Sequence, residues 1–461
     1  MKADLVIRGA RVVDPGNNFD RVADVYVRDG RVLDIAPPEE GLPAEQVIEA
    51  DGLVLCPGLI DAHVHLRQPG EEHKETVATG TRAAVAGGFT AVVAMPNTRP
   101  PLDRPDRVAE LLQIIERDAV CRVYVLGAAV VDRDPDRLSD FAALKQAGAI
   151  GVSDDAMPLQ DPQVMARALV QAEQAGVPLV VHPELEEAGE AGPVSDPAVA
   201  EKLGVPVMSP LREARAVEAW LEAAIRAAGV GEGHSSGAEG GQDQGRRARR
   251  KVKAALHCAH LSSAPALEAF RRLRAEAPLQ RVTGETCPHY FTLTSEAVLD
   301  KGPDAKMNPP LRGPQDAEAV RAALADGTLE VIATDHAPHA PEEKAQGLEK
   351  APFGIIGLET ALGVTLTFLV REGVLSLPQA LDKLTTGSAR ALGLPGGTIE
   401  VGEPADLTLI DIEATWRVER QRFQSRSRNT PFAGWELRGR AVMTMVAGRI
   451  VMRDGEVLAG E

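Results

Sequence analysis

The chain has 461 residues, a hydrophobic fraction of 44%, only 3% aromatics and a formal net charge of -17. That apolar content supports a large core, while the acidic balance excludes general binding to nucleic acid or anionic membranes, which need a basic surface. No apolar stretch approaches the roughly 20 residues of a membrane helix, MKADLVIRGARVV is broken by Asp4, Arg8 and Arg11 and is no signal peptide, and Cys56, Cys121, Cys258 and Cys287 form no CxxC pair, so a reduced, cytoplasmic protein is expected.

Residues 1–52 read as short alternating strands with turn punctuation, as in DLVIRGARVVDPG and VYVRDGRVLDIAP. From about residue 51, β-branched runs alternate with amphipathic stretches of helical length, the pattern of βαβ units and a parallel sheet. The strand candidates are 53–65, 89–97, 121–129, 149–154, 178–182, 254–260, 281–289 and 329–336. Between them lie helices such as RVAELLQIIERDA, VMARALVQAEQAG and SPLREARAVEAWLEAAIRAAG, the last with Ser209 as its N-cap and Gly229 as its stop. Residues 230–253 (VGEGHSSGAEGGQDQGRRARRKVK) are of low complexity and predict a mobile surface insertion, with RRARRK a solvated charge run. A helix-rich link at 377–393 precedes residues 398–461, which resume the short-strand style (ADLTLIDI, VMTMVAGRIVMRDG).

Eight strand-helix units in series predict an α/β fold, a (β/α)8 TIM-type barrel over 53–397 with its active site at the C-terminal strand ends. Neither flank is long enough for its own core, so 1–52 and 398–461 are expected to combine into one small β domain.

The first strand candidate ends in LIDAHVHLRQPG, which puts His63, His65 and Arg67 on one face where the apolar run stops. His182 ends the fifth candidate, His260 the sixth and Asp335 the eighth, while Asp154 and Asp155 end the fourth. In a barrel these distant residues converge at one mouth, and four imidazoles with two carboxylates suit a pair of divalent ions such as Zn2+. Asp154 and Asp155 are adjacent, so only one points inward, and alternation alone does not choose between them. His257 falls on the opposite strand face from His260 and reads as structural, His289 as rim support, and His73 and His234 as loop residues. His339, in the loop after the eighth strand, is placed to touch substrate. No GxxxxGK[ST] phosphate loop or HExxH helix is present.

DAHVHLRQPG, MPNT, SDDA, HCAHLSS, NPPLR, TDHAPH and APFGIIGLETAL, in this order over nearly the whole chain, resemble the class I bacterial dihydroorotases of the cyclic amidohydrolase superfamily. The resemblance implies that His63, His65 and Asp335 bind one Zn2+, that His182 and His260 bind a second, and that Asp155 bridges them. It further implies that Asp335 is the catalytic proton carrier, that Arg67, Asn97 and His339 receive the substrate carboxylate, and that Asn308 and the Phe353/Gly354 backbone border the pyrimidine ring. Gln68 departs from the acid many relatives carry. The implied reaction interconverts dihydroorotate and N-carbamoyl-L-aspartate in pyrimidine biosynthesis, with a small molecule as substrate, a homo-oligomeric enzyme and aspartate transcarbamoylase as a conceivable partner. GETCPHYFTLT also resembles hydantoinases and allantoinases, but those enzymes generally bridge their metals with a carboxylated lysine from strand four, and this chain has no lysine between Lys145 and Lys202. A non-catalytic scaffold for aspartate transcarbamoylase is the other alternative, and such proteins typically lack the metal ligands.

Overall fold

A computed structural model describes residues 2–38, 41–155, 157–186, 192–229 and 250–458. Eight parallel strands run in sequential order, Leu59–Val64, Phe89–Ala94, Arg122–Ala128, Gly151–Ser153, Leu179–Val181, Val252–Cys258, Leu279–Thr286 and Val331–Ile332. The last meets the first through a Val64–His336 bridge and a bond from the His65 N–H to the His336 carbonyl at 2.8 Å, so the barrel is nearly closed. Its interior is filled by small and branched side chains, among them Ile60, Ala62, Ala91, Val93, Leu126, Val180 and Val331, with Ala389 and Leu392 of the helix Thr386–Leu392 packed on the same cluster. Such residues fill a narrow barrel without voids, and this matches the scarcity of aromatics.

The long helices around the barrel bury a stripe at helical spacing. In Leu211–Gly229 the buried Val217, Trp220, Leu221 and Ala224 recur at helical spacing, and Ser209 Oγ accepts the Leu211 N–H at 3.2 Å at the expected start. The insertion expected at 230–253 lies outside the described residues as far as 249. Arg250 is ion-paired with Glu173, and Val252 already begins the sixth barrel strand, two residues earlier than its predicted start.

The single strand expected at 53–65 is two strands in different sheets. Val54–Pro57 pairs with Leu407–Ile410 and with Arg11–Val12, whereas Leu59–Val64 belongs to the barrel. The break falls at Gly58, whose N–H donates to the Asp406 carbonyl at 2.9 Å and where a Cβ would lie 2.0 Å from Thr90 Oγ1. One apolar run thereby ties the barrel to a nine-stranded, mostly antiparallel sheet built from both chain ends. Ile7, Val25, Leu55, Leu407 and Met443 share its core, which neither flank closes alone.

The fourth, fifth and eighth barrel strands are shorter than their predicted runs at both ends, and the polar residues that close those runs lie beyond the ladder. Asp335 (φ 48°), His260 (φ 34°) and Arg67 (φ 59°) sit in the left-handed region at or just beyond strand ends. That conformation is unfavourable for side chains with a Cβ and is concentrated at functional sites. Among the described residues no helix is long and apolar enough to cross a membrane, and the four cysteines are free and buried.

Candidate active site

The C-terminal strand ends bring His63, His65, Asp155, His182, His260 and Asp335 to one mouth of the barrel. His65 Nε2 lies 3.0 Å from Asp335 Oδ1, and His63 Nε2 lies 3.6 Å from the same oxygen. Asp155 is 3.8 Å from His63 Nε2, 3.8 Å from His65 Nδ1 and 3.5 Å from His182 Nδ1, and His260 Nε2 is 2.8 Å from His182 Nδ1. Potential donor atoms of His63, His65 and Asp155 fall within 4.8 Å of one another, as do those of Asp155, His182 and His260, so Asp155 is common to both groups. Asp154 turns the other way. Its carboxylate accepts the backbone N–H groups of His182 (2.7 Å) and Leu159 (3.2 Å), which is a packing role.

The outer nitrogens of three imidazoles are already committed. Glu285, fully buried, accepts from His63 Nδ1 at 2.8 Å and from His257 Nε2 at 3.1 Å. Asn97 Oδ1 accepts from His65 Nδ1 at 2.9 Å. Glu184 accepts from His182 Nε2 at 2.9 Å and from Asn308 Nδ2 at 2.7 Å, and it pairs with Arg212 at 3.0 Å. Bonds of this kind fix the tautomer and aim the opposite ring nitrogen inward.

The electrostatics are those of a dry cluster of lone pairs. Burial pushes the Asp335 carboxyl up, but the His65 bond and the neighbouring rings hold it far below the carboxylate range. Asp155 behaves likewise against His65, His182 and His63. Burial pulls His63 down, yet Glu285 raises it to about 9, while burial and the rings of His182 and His63 lower His260 to about 3. His63 Nε2, Asp155 Oδ2 and His260 Nδ1 are buried without a hydrogen-bond partner. Buried polar atoms ordinarily find partners, so imidazole nitrogens and a carboxylate oxygen left unpartnered in one buried cluster fit divalent cations, which would stand in place of protons on these rings.

Beside this cluster is a cavity of about 260 Å3 whose wall includes His65, Asp155, His182, His260 and Asp335 together with Arg67, Asn97, Asn308, His339, Phe353 and Gly354. Arg67 is buried, with Nε donating to the Pro338 carbonyl at 3.1 Å and Nη2 3.3 Å from His339 Nε2. His339 Nε2 also lies 2.7 Å from the Phe353 carbonyl, and burial together with Arg67 holds this ring well below the ordinary histidine range, so it is neutral. Gly354 (φ +130°) lets the two loops touch, since a Cβ there would sit 2.7 Å from Ala337 Cβ and 3.0 Å from His339 Nε2.

Other predicted positions do different work. His257 supports Glu285 and bonds Thr283 Oγ1 at 2.8 Å. His336 Nε2 lies 3.3 Å from Glu75, His73 pairs with Glu343 at 3.5 Å, and His289 packs its ring 4.2 Å from that of Tyr290. Gln68 Oε1 accepts the Val77 N–H at 2.9 Å at the start of the helix Val77–Ala86. His234 lies outside the described residues. Sequence reasoning missed Glu184 and Glu285. Glu184 was within reach of the alternation argument, standing two residues after His182.

The family model for amidohydrolases matches residues 54–451. The chain is 44% identical over 450 residues to a dihydroorotase of Syntrophotalea carbinolica, covering 97% of this chain and 99% of that one. It is 41% identical over 457 residues to a dihydroorotase of Geobacter sp. (strain M21), covering 98% and 100%. Among solved structures it resembles the L-hydantoinase (dihydropyrimidinase) from Arthrobacter aurescens with a TM-score of 0.84 at 24% identity, covering 99% of this chain and 98% of that one. Dihydropyrimidinase from Brevibacillus agri gives a TM-score of 0.80 at 23% identity, covering 98% and 96%. These structural likenesses speak for the fold.

Proposed function

The chain belongs to the dihydroorotases of the amidohydrolase family, and we propose that its cavity hydrolyses the cyclic amide of (S)-dihydroorotate to N-carbamoyl-L-aspartate, reversibly, as a step of pyrimidine biosynthesis. The observation that carries this reading is one cavity in which three imidazoles and two carboxylates, with His63 grouped behind them, face an arginine-histidine pair suited to a substrate carboxylate.

In this reading His63, His65 and Asp335 hold one ion, His182 and His260 a second, and Asp155 is shared, with Zn2+ the ion best matched to the donors. When bound, such ions polarise a carbonyl and make water acidic enough to ionise at neutral pH. Arg67 receives the substrate carboxylate through its forked donors, and the Asn97 amide nitrogen, left over once Oδ1 has taken His65, adds a second bond. His339, whose Nε2–H is on the Phe353 carbonyl, stands beside Arg67 at that contact, while Asn308 and the Phe353–Gly354 backbone border the ring. Asp335 accepts a proton from the attacking water and delivers it to the ring nitrogen as the amide C–N bond breaks, and in ring closure it runs the same transfer backwards. Its carboxylate is held in place for this by His65 Nε2 at 3.0 Å.

The hydantoinase-type alternative is disfavoured because those enzymes generally bridge their metals with a carboxylated lysine from strand four, and this chain has no lysine between Lys145 and Lys202. An absorbance assay with dihydroorotate, hydantoin and allantoin tests the choice. Opening of dihydroorotate well above the other two is expected. Preference for hydantoin or allantoin would overturn the substrate assignment, and bound metal with no turnover of any of them would favour the scaffold or another substrate.

A further inference from the structure

The two loops that carry His339 and Gly354 have little regular structure of their own. They meet through the Ala337 N–H on the Ile355 carbonyl at 2.7 Å and through the His339–Phe353 contact. A strap from the other sheet crosses them. Between the strands Leu407–Arg417 and Glu436–Val446 of the chain-end sheet, residues 423–432 run back onto the barrel, and Asn429, only 4% exposed, reaches both loops. Its Oδ1 accepts the His339 N–H at 3.2 Å, its Nδ2 donates to the carbonyls of Ala337 and Gly354 at 3.1 Å each, and its own carbonyl accepts the Ile356 N–H at 2.9 Å. The same strap holds the next loop over. Ser425 Oγ and the Arg426 N–H donate to the buried Glu75, which also takes His336, the residue after Asp335, and Ser427 Oγ donates to the Lys74 carbonyl at 2.8 Å.

We propose that Asn429 is a positioning residue for substrate recognition, a clamp by which the chain-end sheet sets His339 against Arg67 and holds the Phe353–Gly354 backbone at the ring. This rests on the functional reading above, in which those groups face the carboxylate and the ring. Every polar atom of the Asn429 side chain is spent on main-chain groups of the two loops, an arrangement with no use for bulk packing alone. Removing the amide leaves one buried N–H and two buried carbonyls without a partner, and the loops relax to recover them. Arg67 donates to the Pro338 carbonyl of the same loop and lies against His339, so a displacement of a fraction of an ångström there suffices to misaim the guanidinium for a carboxylate.

The test compares wild type, Asn429→Ala and Asn429→Asp as metal-loaded full chains, by titration with orotate, by steady-state kinetics and by amide hydrogen exchange. For Asn429→Ala, we expect the orotate Kd and the KM for dihydroorotate to rise roughly tenfold, kcat to change by less than about threefold, and metal content to stay constant. Exchange quickens in segments 337–340 and 353–357. Asn429→Asp keeps an acceptor for the His339 N–H but loses both donations, so the His339 amide stays protected while 353–357 loosens, and this variant serves if the alanine chain does not fold. An orotate Kd within twofold of wild type, or unchanged exchange in both segments, would overturn the clamp. A wild-type enzyme that neither binds orotate nor opens dihydroorotate would count against the functional reading instead, and the exchange comparison would still decide whether Asn429 clamps the loops.

Discussion

Glu285 does not line the cavity beside the histidines, yet replacing it should disarm the metal centre. Its carboxylate is fully buried on the seventh barrel strand and accepts from His63 Nδ1 at 2.8 Å and from His257 Nε2 at 3.1 Å. Burial pushes its carboxyl up, but those two bonds and the accompanying charge hold it at about 2, so it is ionised and orients both rings. Glu285→Gln keeps the shape and one acceptor oxygen while turning an N–H group toward one of the imidazoles. Losing one charge-assisted acceptor costs about 1.5–3 kcal/mol. Where that cost falls on His63, it appears as a roughly ten- to hundredfold weaker hold on the ion His63 would ligate, the usual effect of removing a ligand's orienting partner. Competition for Zn2+ against a chromophoric chelator measures this directly, with thermal melting run alongside to show that the chain is folded. A folded Glu285→Gln enzyme that binds Zn2+ as tightly as wild type would refute the reasoning that the Glu285–His63 bond prepares the ligand.

Removing Asp335 and Arg67 should separate chemistry from binding: Asp335→Ala loses turnover by three orders of magnitude or more, whereas Arg67→Ala raises KM for dihydroorotate roughly ten- to hundredfold with a smaller change in kcat, both read from steady-state kinetics. The adjacent acids should part in the same way, Asp155→Ala losing metal by elemental analysis and Asp154→Ala keeping metal but melting at lower temperature, because the Asp154 carboxylate accepts the His182 and Leu159 amides. Glu359, raised to about 8 by burial and by Glu75, keeps its proton in the folded state after the unfolded chain has released it near its ordinary value, so the folded state binds more protons across that interval and stability falls as pH rises through it. Glu359→Gln keeps an acceptor for only one of the Gln424 and Ser425 amides, a pH-independent loss, but removes the titration, so its melting temperature should gain on wild type steadily from pH 5 to pH 8, and a constant difference would contradict the assignment.

The barrel was legible because parallel strands buried on both faces read as continuous apolar runs and their covering helices carry stripes at helical spacing. The strand-end histidines followed from the fold, since a barrel gathers its C-terminal strand ends whatever their distance along the chain. What escaped was decided by backbone geometry or by partners invisible in one dimension. Gly58 inside an apolar run does not announce that the run changes sheets. Asp154 and Asp155 differ only in which way the chain turns after Ser153. Glu285 looks like any acid until His63 and His257 are found on it, and Asn429 contacts main-chain atoms 75 to 92 residues away, which leave no mark in side-chain patterns.

The central claim, that six side chains from distant strand ends meet around shared cations and make the cavity an amide hydrolase, is tested most directly by stripping the purified chain of metal and restoring Zn2+ in measured steps while following dihydroorotate opening. The account predicts a chain inactive when stripped, with activity returning in proportion to Zn2+ until a pair of ions is bound per chain, and no recovery in Asp155→Ala. Turnover of the fully stripped chain at the wild-type rate, or full recovery in Asp155→Ala, would contradict it.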